Sequence, residues 1–230
     1  ALGATVQRSG VGMKPRILCI MQLPPPVHGA SVVNLQVASS ETLAAKFDIE
    51  VLPLRFATSV ADIGSMRPAK LATAAGVAVR LIGRLLREPP DAVYFTIAPN
   101  GGAFYRDCVY VAILKTLRVP RVLHLHGKGI AGETGSAWRR ALYRWAFRDA
   151  RVIQLSARLA EDLAAVCDPA AIEFVPNGIP DEAGALPERA GRNGSLRILY
   201  LSNMLEQKGP MVALAALAQL KARWVALEAT

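Results

Sequence analysis

The chain has 230 residues, enough for one large domain or for one domain and part of another, and its apolar fraction of 52% predicts a substantial buried core. Its three cysteines, Cys19, Cys108 and Cys167, are widely scattered, which excludes a disulfide framework and favours a reducing compartment. The formal net charge of +9 predicts attraction to polyanions: nucleic acid, anionic lipid or phosphorylated small molecules. Charge alone does not choose among these partners.

Residues 13–180 alternate short apolar strands with helical patterns. Strands are predicted at Arg16 to Gln22, Asp48 to Leu54, Asp91 to Ala98, Arg121 to His126, Val152 to Ser156 and Ile172 to Val175. Helices are predicted from His28 onward and at Ala69 to Arg87, Ala103 to Leu117, Ser136 to Asp149 and Arg158 to Val166. This alternation predicts a doubly wound parallel sheet of the Rossmann type, in which ligands bind beyond the carboxyl ends of the strands.

Residues outside that domain divide into three parts. Residues 1–12 lack an initiator methionine and an apolar core, and we interpret them as an upstream extension or an expression remnant. Residues 181–195 are predicted to be a polar linker. A strand at Leu196 to Leu201, a turn carrying Lys208 and a helix after Pro210 predict the start of a second Rossmann-like domain at 196–230, which we expect to be truncated.

The loop after the first strand carries small residues at the start of a helix. Free backbone amides and the helix dipole at Gly29 and Ala30 favour an anion such as a diphosphate. The alternative is an ordinary strand-to-helix turn capped by Ser31 or His28.

Two histidines end a central strand. Alternation along the strand sends His124 and His126 to the same face, and we expect only His126 to reach the mouth of the cleft. An imidazole there can hydrogen-bond a sugar hydroxyl or a carbonyl. A purely structural His124 and the start of a metal site are the alternatives, but His28 is distant in sequence and no carboxylate motif accompanies the pair.

The segment Gly127 to Gly132 formally fits the dinucleotide fingerprint Gly-x-Gly-x-x-Gly. Three residues separate it from Ser136, where the next helix begins, although the third glycine of the fingerprint should lie inside a helix. The same stretch almost matches a phosphate-binding P-loop, except that Glu133 occupies the lysine position. A carboxylate there repels the phosphate that the loop should bind.

The helix predicted at Ser136 to Asp149 has two distinct faces. Its core seam is predicted to comprise Trp138, Ala141, Leu142 and Trp145. The opposite face is a candidate for contact with an anionic membrane and comprises Arg139, Arg140, Tyr143, Arg144 and Phe147. The alternative is a solvated face with two aromatic rings lying along arginine side chains. Arg80, Arg84 and Arg87 form another basic stripe.

Four segments, taken in order, resemble the retaining glycosyltransferases of family four, which have the GT-B fold. They are Pro24 to Ser31, the strand ending in His126-Gly127, the join Val175 to Ile179, and Leu199 to Gly209. The resemblance implies two Rossmann-like domains that face each other, the first receiving the acceptor and the second the nucleotide-sugar donor. It also implies that no metal or other cofactor is required.

The resemblance further implies roles for individual residues. Gly29 and Ala30 lie near the donor diphosphate, Lys208 binds it, and His126 contacts the donor sugar as the catalytic-site histidine. Asn203 stands where the family usually has an arginine on the diphosphate; it can hydrogen-bond but carries no charge. The departing diphosphate can accept the proton of the acceptor hydroxyl, so no protein nucleophile is needed.

On the acceptor side we place His28, Asn100 and Gly101, which lie in loops of the first domain. The predicted function is a hexosyltransferase that moves a sugar, with retention, from a nucleotide sugar to a lipid-linked or cell-envelope glycan. It is predicted to be cytoplasmic, peripheral to the inner face of the membrane and not bound to nucleic acid, and this length of chain alone is expected to be nearly inactive. Two alternatives stay open: a non-catalytic anion- or membrane-binding module, and a dinucleotide-dependent oxidoreductase built on Gly127 to Gly132.

Overall fold

The structure is a computed structural model that describes residues 13–56, 68–178, 196–202, 204, 206–223 and 227–229. The chain divides into two compact units, residues 1–179 and 180–230. The strands of the first unit are β1 (Arg16–Met21), β2 (Asp48–Pro53), β3 (Ala92–Thr96), β4 (Arg121–His124), β5 (Arg151–Gln154) and β6 (Ile172–Phe174). Its helices are α1 (Gly29–Ala38), α2 (Glu41–Lys46), α3 (Pro68–Arg87), α4 (Gly101–Thr116), α5 (Ile130–Glu133), α6 (Ala137–Phe147) and α7 (Ala157–Ala160).

The six strands form one parallel sheet in the order β2-β1-β3-β4-β5-β6. The chain leaves β1 toward β2 and then returns past β1 to β3, so the direction of strand addition reverses between β1 and β3. Right-handed crossovers on either side of this reversal place α1 and α2 on one face and the later helices on the other. The predicted doubly wound, Rossmann-like sheet is confirmed, and the loops after β1 and β3 flank its ligand-binding switch point.

The core fills the space between this sheet and its helices. Phe95 of β3 and Phe104 and Tyr110 of α4 are fully buried, as are Val77 and Leu81 of α3. Phe95 lies 6.2 Å from Tyr110 between ring centroids, which joins strand and helix directly. Burial on both faces explains why the strands read as nearly continuous apolar runs.

Short helices were missed by the sequence analysis because one or two turns carry too little periodicity. Helix α2 is capped by Ser40, whose side chain accepts a hydrogen bond from the amide of Leu43. Helix α5 interrupts the loop after β4. The helix predicted at Arg158 to Val166 is only α7 followed by a short 3-10 turn at Glu161–Leu163.

The predicted faces of α6 are wrong for the aromatic residues of the membrane face and for half of the core seam. Tyr143 and Phe147, assigned to a membrane face, are only 1% and 2% exposed, whereas Trp138 of the predicted core seam is 59% exposed. Ala141 is also exposed. The reason is tertiary: α6 packs against α4, where Phe104 stacks on Tyr143 at 3.8 Å between ring centroids.

The remaining residues of α6 complete the correction. Leu142 and Trp145 are half-buried against the core. The three arginines of the predicted membrane face make bonds within the chain: Arg139 to Glu133, Arg140 to the Thr134 carbonyl and Arg144 to the Ala165 carbonyl. The two aromatic residues of this face are therefore internal contacts, which contradicts the prediction that they insert into a membrane.

The second unit comprises β7 (Leu196–Ile198), a short 3-10 turn at Glu206–Lys208, α8 (Pro210–Ala222) and β8 (Leu227–Ala229). Strands β7 and β8 pair in parallel, with α8 as the connecting helix. Gly209 has φ of 75°, a left-handed conformation that glycine adopts without strain, and Pro210 occupies the first turn of α8. The predicted strand, turn and helix are all present, although β7 is shorter than predicted. In the part of the chain that the structure describes, every helix is too short or too polar to cross a bilayer.

Candidate functional site

Three loops at the carboxyl ends of β1, β3 and β4 carry the candidate residues of the first unit. The loop after β1 enters α1 through a capping box, in which the His28 side chain accepts from the Ser31 amide at 3.3 Å. The Ser31 hydroxyl in turn accepts from the His28 amide at 3.0 Å. The imidazole of His28 is thus the helix cap that the sequence analysis kept as an alternative, and the amides of Gly29 and Ala30 come first in the helix.

The space beside Gly29 is open. Gly29 is exposed, and a Cβ placed on it would meet no atom within 4 Å among the described residues. An anion can approach the first amides of α1 from this side. The predicted diphosphate contact at Gly29 and Ala30 stays a prediction.

Asn34 links all three loops. This fully buried side chain donates from Nδ2 to the carbonyl of Gln22, after β1, at 2.9 Å. Its Oδ1 accepts from the hydroxyl of Thr96, the last residue of β3, at 3.0 Å. The same Oδ1 lies 3.0 Å from Nε2 of His126, two residues past β4. One amide therefore fixes the relative positions of the three segments around the switch point.

The histidine that ends β4, His124, and the one two residues later, His126, are both uncharged near neutral pH. Burial and, secondarily, the neighbouring His28 lower the pKa of His126 from 6.5 to about 4. Burial and the adjoining His126 lower the pKa of His124 to about 3. The His124 ring is hydrogen-bonded to the Tyr94 hydroxyl, and its centroid lies 4.1 Å from that of His126. His124 thus has the structural role kept as an alternative, whereas His126 is partly exposed.

The metal-site alternative for the two histidines gains no support from their surroundings. Among the described residues, no three His, Cys, Asp or Glu side chains are arranged to hold a metal ion. A burial-depressed pKa keeps each ring neutral, which suits hydrogen bonding.

The loop after β3 is held by two buried side chains. Asp107 of α4 accepts from the Ala98 amide at 2.9 Å, and the Tyr143 hydroxyl donates to the Pro99 carbonyl at 2.9 Å. Burial raises the pKa of Asp107 to about 6, against the opposing effect of Arg106, which donates to it at 2.8 Å. This anchoring fixes the backbone from which the predicted acceptor-side residues project.

Those acceptor-side residues, Asn100 and Gly101, begin α4 at its exposed end. Gly101 has φ of 67°, and the side chain of Asn100 is not used as a helix cap. The side-chain nitrogen of Asn100 lies against Gly129, where it would be 2.0 Å from an added Cβ. Gly129 also has φ of 137°, so this glycine is required by backbone conformation and close packing.

The glycine-rich loop after β4 is already bound to a carboxylate of the chain itself. Asp162 accepts from the amides of Gly129, Ile130 and Ala131 at 2.8, 3.0 and 2.9 Å. These are the amides that a dinucleotide diphosphate would need. The Asp162 carboxylate that these amides already bind would repel a phosphate there, so the geometry opposes the oxidoreductase alternative.

In the second unit Lys208 ends the short turn before α8. Its side chain is exposed, and its carbonyl accepts from the Tyr200 hydroxyl at 2.7 Å. An exposed lysine beside the start of a helix can bind a phosphate, and the predicted diphosphate contact of Lys208 stays a prediction. Asn203, the other predicted diphosphate ligand of this unit, lies outside the described residues.

A comparison with protein families identifies the family of the chain. The sequence matches the model of Glycosyltransferase Family 4 over residues 44–183, more than half of its length. The chain belongs to Glycosyltransferase Family 4. The matched range contains His126, Asn100 and Gly101 but not Gly29, Ala30 or Lys208. A search of curated proteins found no match.

Two crystal structures of Anabaena Alr3699/HepE resemble the chain, one in complex with UDP and glucose and one in complex with UDP. The first has a TM-score of 0.55 at 18% identity and covers 94% of this chain and 60% of the HepE chain. The second has a TM-score of 0.53 at 18% identity and covers 90% of this chain and 58% of the HepE chain. At this identity the likeness shows the fold, which is the predicted GT-B type. This chain spans about 60% of the length of HepE.

Sequence reasoning missed the side chains that support the site of this family 4 chain. They are Asn34, Tyr94, Thr96, Asp107 and Asp162. Asn34 left a usable signal, since it is a polar residue on an otherwise apolar stretch of α1. Tyr94 and Thr96 lie two residues apart on β3, and the two histidines lie two residues apart at and after the end of β4. This matching alternation indicates a polar face shared by the two neighbouring segments. Asp162 left no signal, because its partners are more than 30 residues away.

Proposed function

We propose that this chain is the part of a glycosyltransferase that receives the acceptor and begins the donor site, and that the enzyme uses a nucleotide sugar. The observation that carries the proposal is His126, which is neutral and partly exposed at the switch point of a Family 4 fold. HepE, which shares the fold, was crystallised with UDP and with glucose, so uridine nucleotides are the first donors to test.

In the proposed reaction the sugar leaves the diphosphate with retention at the anomeric carbon. The amides of Gly29 and Ala30 and the ammonium of Lys208 stabilise the negative charge that develops on the diphosphate. His126 hydrogen-bonds the sugar and orients it. The departing phosphate oxygen takes the proton of the attacking hydroxyl, so the step needs neither a protein nucleophile nor a metal. The transferred sugar is proposed to be a hexose.

Ligand binding and turnover test this proposal on the longest natural form of the protein that contains the chain. Lys208→Ala should weaken UDP binding by about tenfold or more, because charge-assisted hydrogen bonds contribute roughly 1.5–3 kcal/mol, and leave uridine binding unchanged. Lys221→Ala, in the last turn of α8, is the matched control and should leave both affinities unchanged. His126→Ala should lower the rate at which UDP is formed from UDP-glucose, whereas the affinity of the protein for UDP should be retained.

Calorimetry with UDP and uridine, and product assays with and without a chelator, give these comparisons. Equal losses of UDP and uridine binding would assign Lys208 to structure. If no uridine, adenosine or guanosine diphosphate sugar binds, the proposed function is wrong and the non-catalytic module is favoured. Arrest of turnover by the chelator would refute metal independence.

A second proposal concerns the acceptor, which we infer to lie at an anionic membrane. Helix α3 buries Val77 and Leu81 but exposes a stripe of apolar residues on its other side: Leu71, Val79, Ile82 and Leu86 at 65%, 68%, 39% and 66%. Arg80 and Arg87 flank this stripe, together with Arg84, which also pairs with Glu50. Apolar residues beside cations suit a helix lying in an anionic lipid surface.

This surface replaces the refuted face of α6 as the proposed membrane contact. It supports a lipid-linked or cell-envelope glycan as acceptor and a peripheral position at the inner face of the membrane. Each arginine near such a surface contributes on the order of 1 kcal/mol, so binding should weaken as salt increases.

Vesicle sedimentation tests the membrane proposal. Replacing Leu71, Val79 and Leu86 with serine should abolish binding to phosphatidylglycerol vesicles, whereas the wild-type protein should largely ignore phosphatidylcholine. The matched control replaces Met211, Val212 and Leu214 of α8, which are 69%, 73% and 56% exposed. Equal loss in both triple variants, or equal binding to both lipids, would refute α3 as the contact.

A further inference from the structure

The buried amide of Asn34 has a single orientation that its neighbours permit. A backbone carbonyl only accepts hydrogen bonds, so the atom 2.9 Å from the Gln22 carbonyl must be the NH₂ group of Asn34. The carbonyl oxygen of the side chain therefore faces Thr96 and His126. Reversing the amide would place two acceptors against each other at Gln22 inside the protein, at a cost of about 1–3 kcal/mol.

The orientation of Asn34 determines where the proton of His126 lies. Oδ1 of Asn34 can only accept, and it lies 3.0 Å from Nε2 of His126, so Nε2 carries the hydrogen. A neutral imidazole has one N–H, and the pKa of about 4 keeps the ring neutral at physiological pH. Nδ1 of His126 therefore has a free lone pair, and no group among the described residues donates to it.

We propose that Asn34 is a positioning residue that holds the proton of His126 on Nε2 and so makes Nδ1 an acceptor for a hydroxyl of the bound sugar. This role rests on the proposed function. It resembles the way a partner of a catalytic histidine fixes its tautomer elsewhere. Asn34 itself touches neither donor nor acceptor; it acts through His126.

Nδ1 of His126 has no hydrogen-bond partner in the part of the chain that the structure describes, and a ligand hydroxyl would supply one. The atom is covered in the structure, while the ring as a whole is partly exposed next to the exposed Lys128 and to Gly127. The proposed contact therefore requires the loop after β4 to shift when the sugar binds, and hydrogen bonds of catalytic histidines often tighten only when substrate binds. A hydroxyl that donates to Nδ1 removes the cost of a buried acceptor without a partner.

Nitrogen NMR of histidine-labelled protein reads the tautomer without any need for activity. The chain has three histidines, and the signals of His126 are those lost in His126→Gln. The wild-type protein should show a protonated Nε2 and an unprotonated Nδ1 at His126. A protonated Nδ1 in the wild-type protein would overturn the proposal.

Two substitutions of Asn34 separate positioning from packing. Asn34→Asp keeps an acceptor at Nε2 and adds a negative charge, although it also replaces the donor to the Gln22 carbonyl by an acceptor and should lower stability. Nε2 should stay protonated in this variant, and the pKa of His126 should rise by about 1–3 units. Asn34→Ala removes the acceptor, and the two ring nitrogens should shift toward an average of both tautomers. If the ring nitrogens of His126 have the same chemical shifts in Asn34→Ala as in the wild-type protein, the positioning role of Asn34 is refuted.

Ligand titration distinguishes this proposal from the proposed function. UDP-glucose, but not UDP, should shift the Nδ1 signal of the wild-type protein. If UDP-glucose binds and leaves Nδ1 unchanged, the hydroxyl contact is wrong although the enzyme is a glycosyltransferase. If no nucleotide sugar binds, the proposed function fails while the tautomer measurement still tests Asn34. If Asn34→Ala does not fold, two other measurements decide the question. The wild-type spectrum gives the tautomer of His126 directly, and Thr96→Val, which removes the other hydrogen bond to Oδ1 of Asn34, should keep that tautomer.

Discussion

Removing the carboxylate of Asp162 should destabilise the first unit by a measurable amount. Asp162 accepts hydrogen bonds from three successive amides, those of Gly129, Ile130 and Ala131. All three amides belong to the loop and first turn of α5, which have no acceptor of their own before the helix begins. Asp162→Ala leaves these donors to find water or to remain without a partner.

The size of the effect follows from these contacts. Each charge-assisted bond contributes roughly 1.5–3 kcal/mol, but bonds to one carboxylate are not additive, and replacing a helix cap by alanine usually costs about 0.5–2 kcal/mol. Since Asp162 is partly exposed and water can replace some of the lost contact, we expect Asp162→Ala to lower the free energy of unfolding by about 2–3 kcal/mol. Asp162→Asn keeps acceptors without charge and should cost about 1 kcal/mol.

Urea unfolding followed by circular dichroism measures these costs. The matched control is Asp168→Ala, because Asp168 is exposed and caps a 3-10 turn through one bond to the Ala170 amide at 3.0 Å. That substitution should cost less than about 1 kcal/mol. Hydrogen exchange of the Gly129 and Ile130 amides should accelerate only in the Asp162 variants. The reasoning is refuted if the two alanine variants cost the same, or if exchange at this loop is unchanged.

Three further outcomes are expected. Burial lowers the pKa of His126 from 6.5 to about 4, so between these pH values the unfolded chain binds a proton that the folded protein does not. The stability that the neutral ring contributes is therefore complete above pH 6.5 and is lost as the pH falls toward 4. Stability measured across this range should fall less in His126→Gln than in the wild-type protein, and equal slopes would contradict the shift. Tyr143→Phe removes the bond to the Pro99 carbonyl and should cost about 1 kcal/mol without changing vesicle binding, which a lipid-binding assay checks. Gly129→Ala should destabilise the chain by about 1–3 kcal/mol in thermal unfolding, because φ is 137° and Asn100 occupies the added space; a neutral result would show that this conformation is not required.

Much of the fold could be predicted because its signals are local. Apolar runs such as Arg121 to His126 alternate with helical patterns, and parallel strands with right-handed crossovers allow few topologies. The location of the site followed from the same rule, since ligand loops lie at the carboxyl ends of the strands. His126 could be selected as a candidate because it follows a strand and precedes a glycine.

The faces of α6 could not be predicted in this way. Both faces of α6 carry large aromatic residues at helical spacing, Trp138 and Trp145 on one and Tyr143 and Phe147 on the other, and periodicity alone does not say which face is the more deeply buried. The choice depends on α4, whose Phe104 stacks on Tyr143, and on Pro99, which satisfies the tyrosine hydroxyl.

The sequence by itself determined the sheet, the order of its elements and the loops that meet at the switch point, because strand and helix patterns and crossover handedness act over short distances along the chain. Only the tertiary structure decided which side chains serve those loops. Asn34 reaches His126 across 92 positions, and Asp162 reaches back 33 positions to Gly129. Such contacts depend on the packing of whole elements, and a single sequence carries no local record of which buried polar groups will meet.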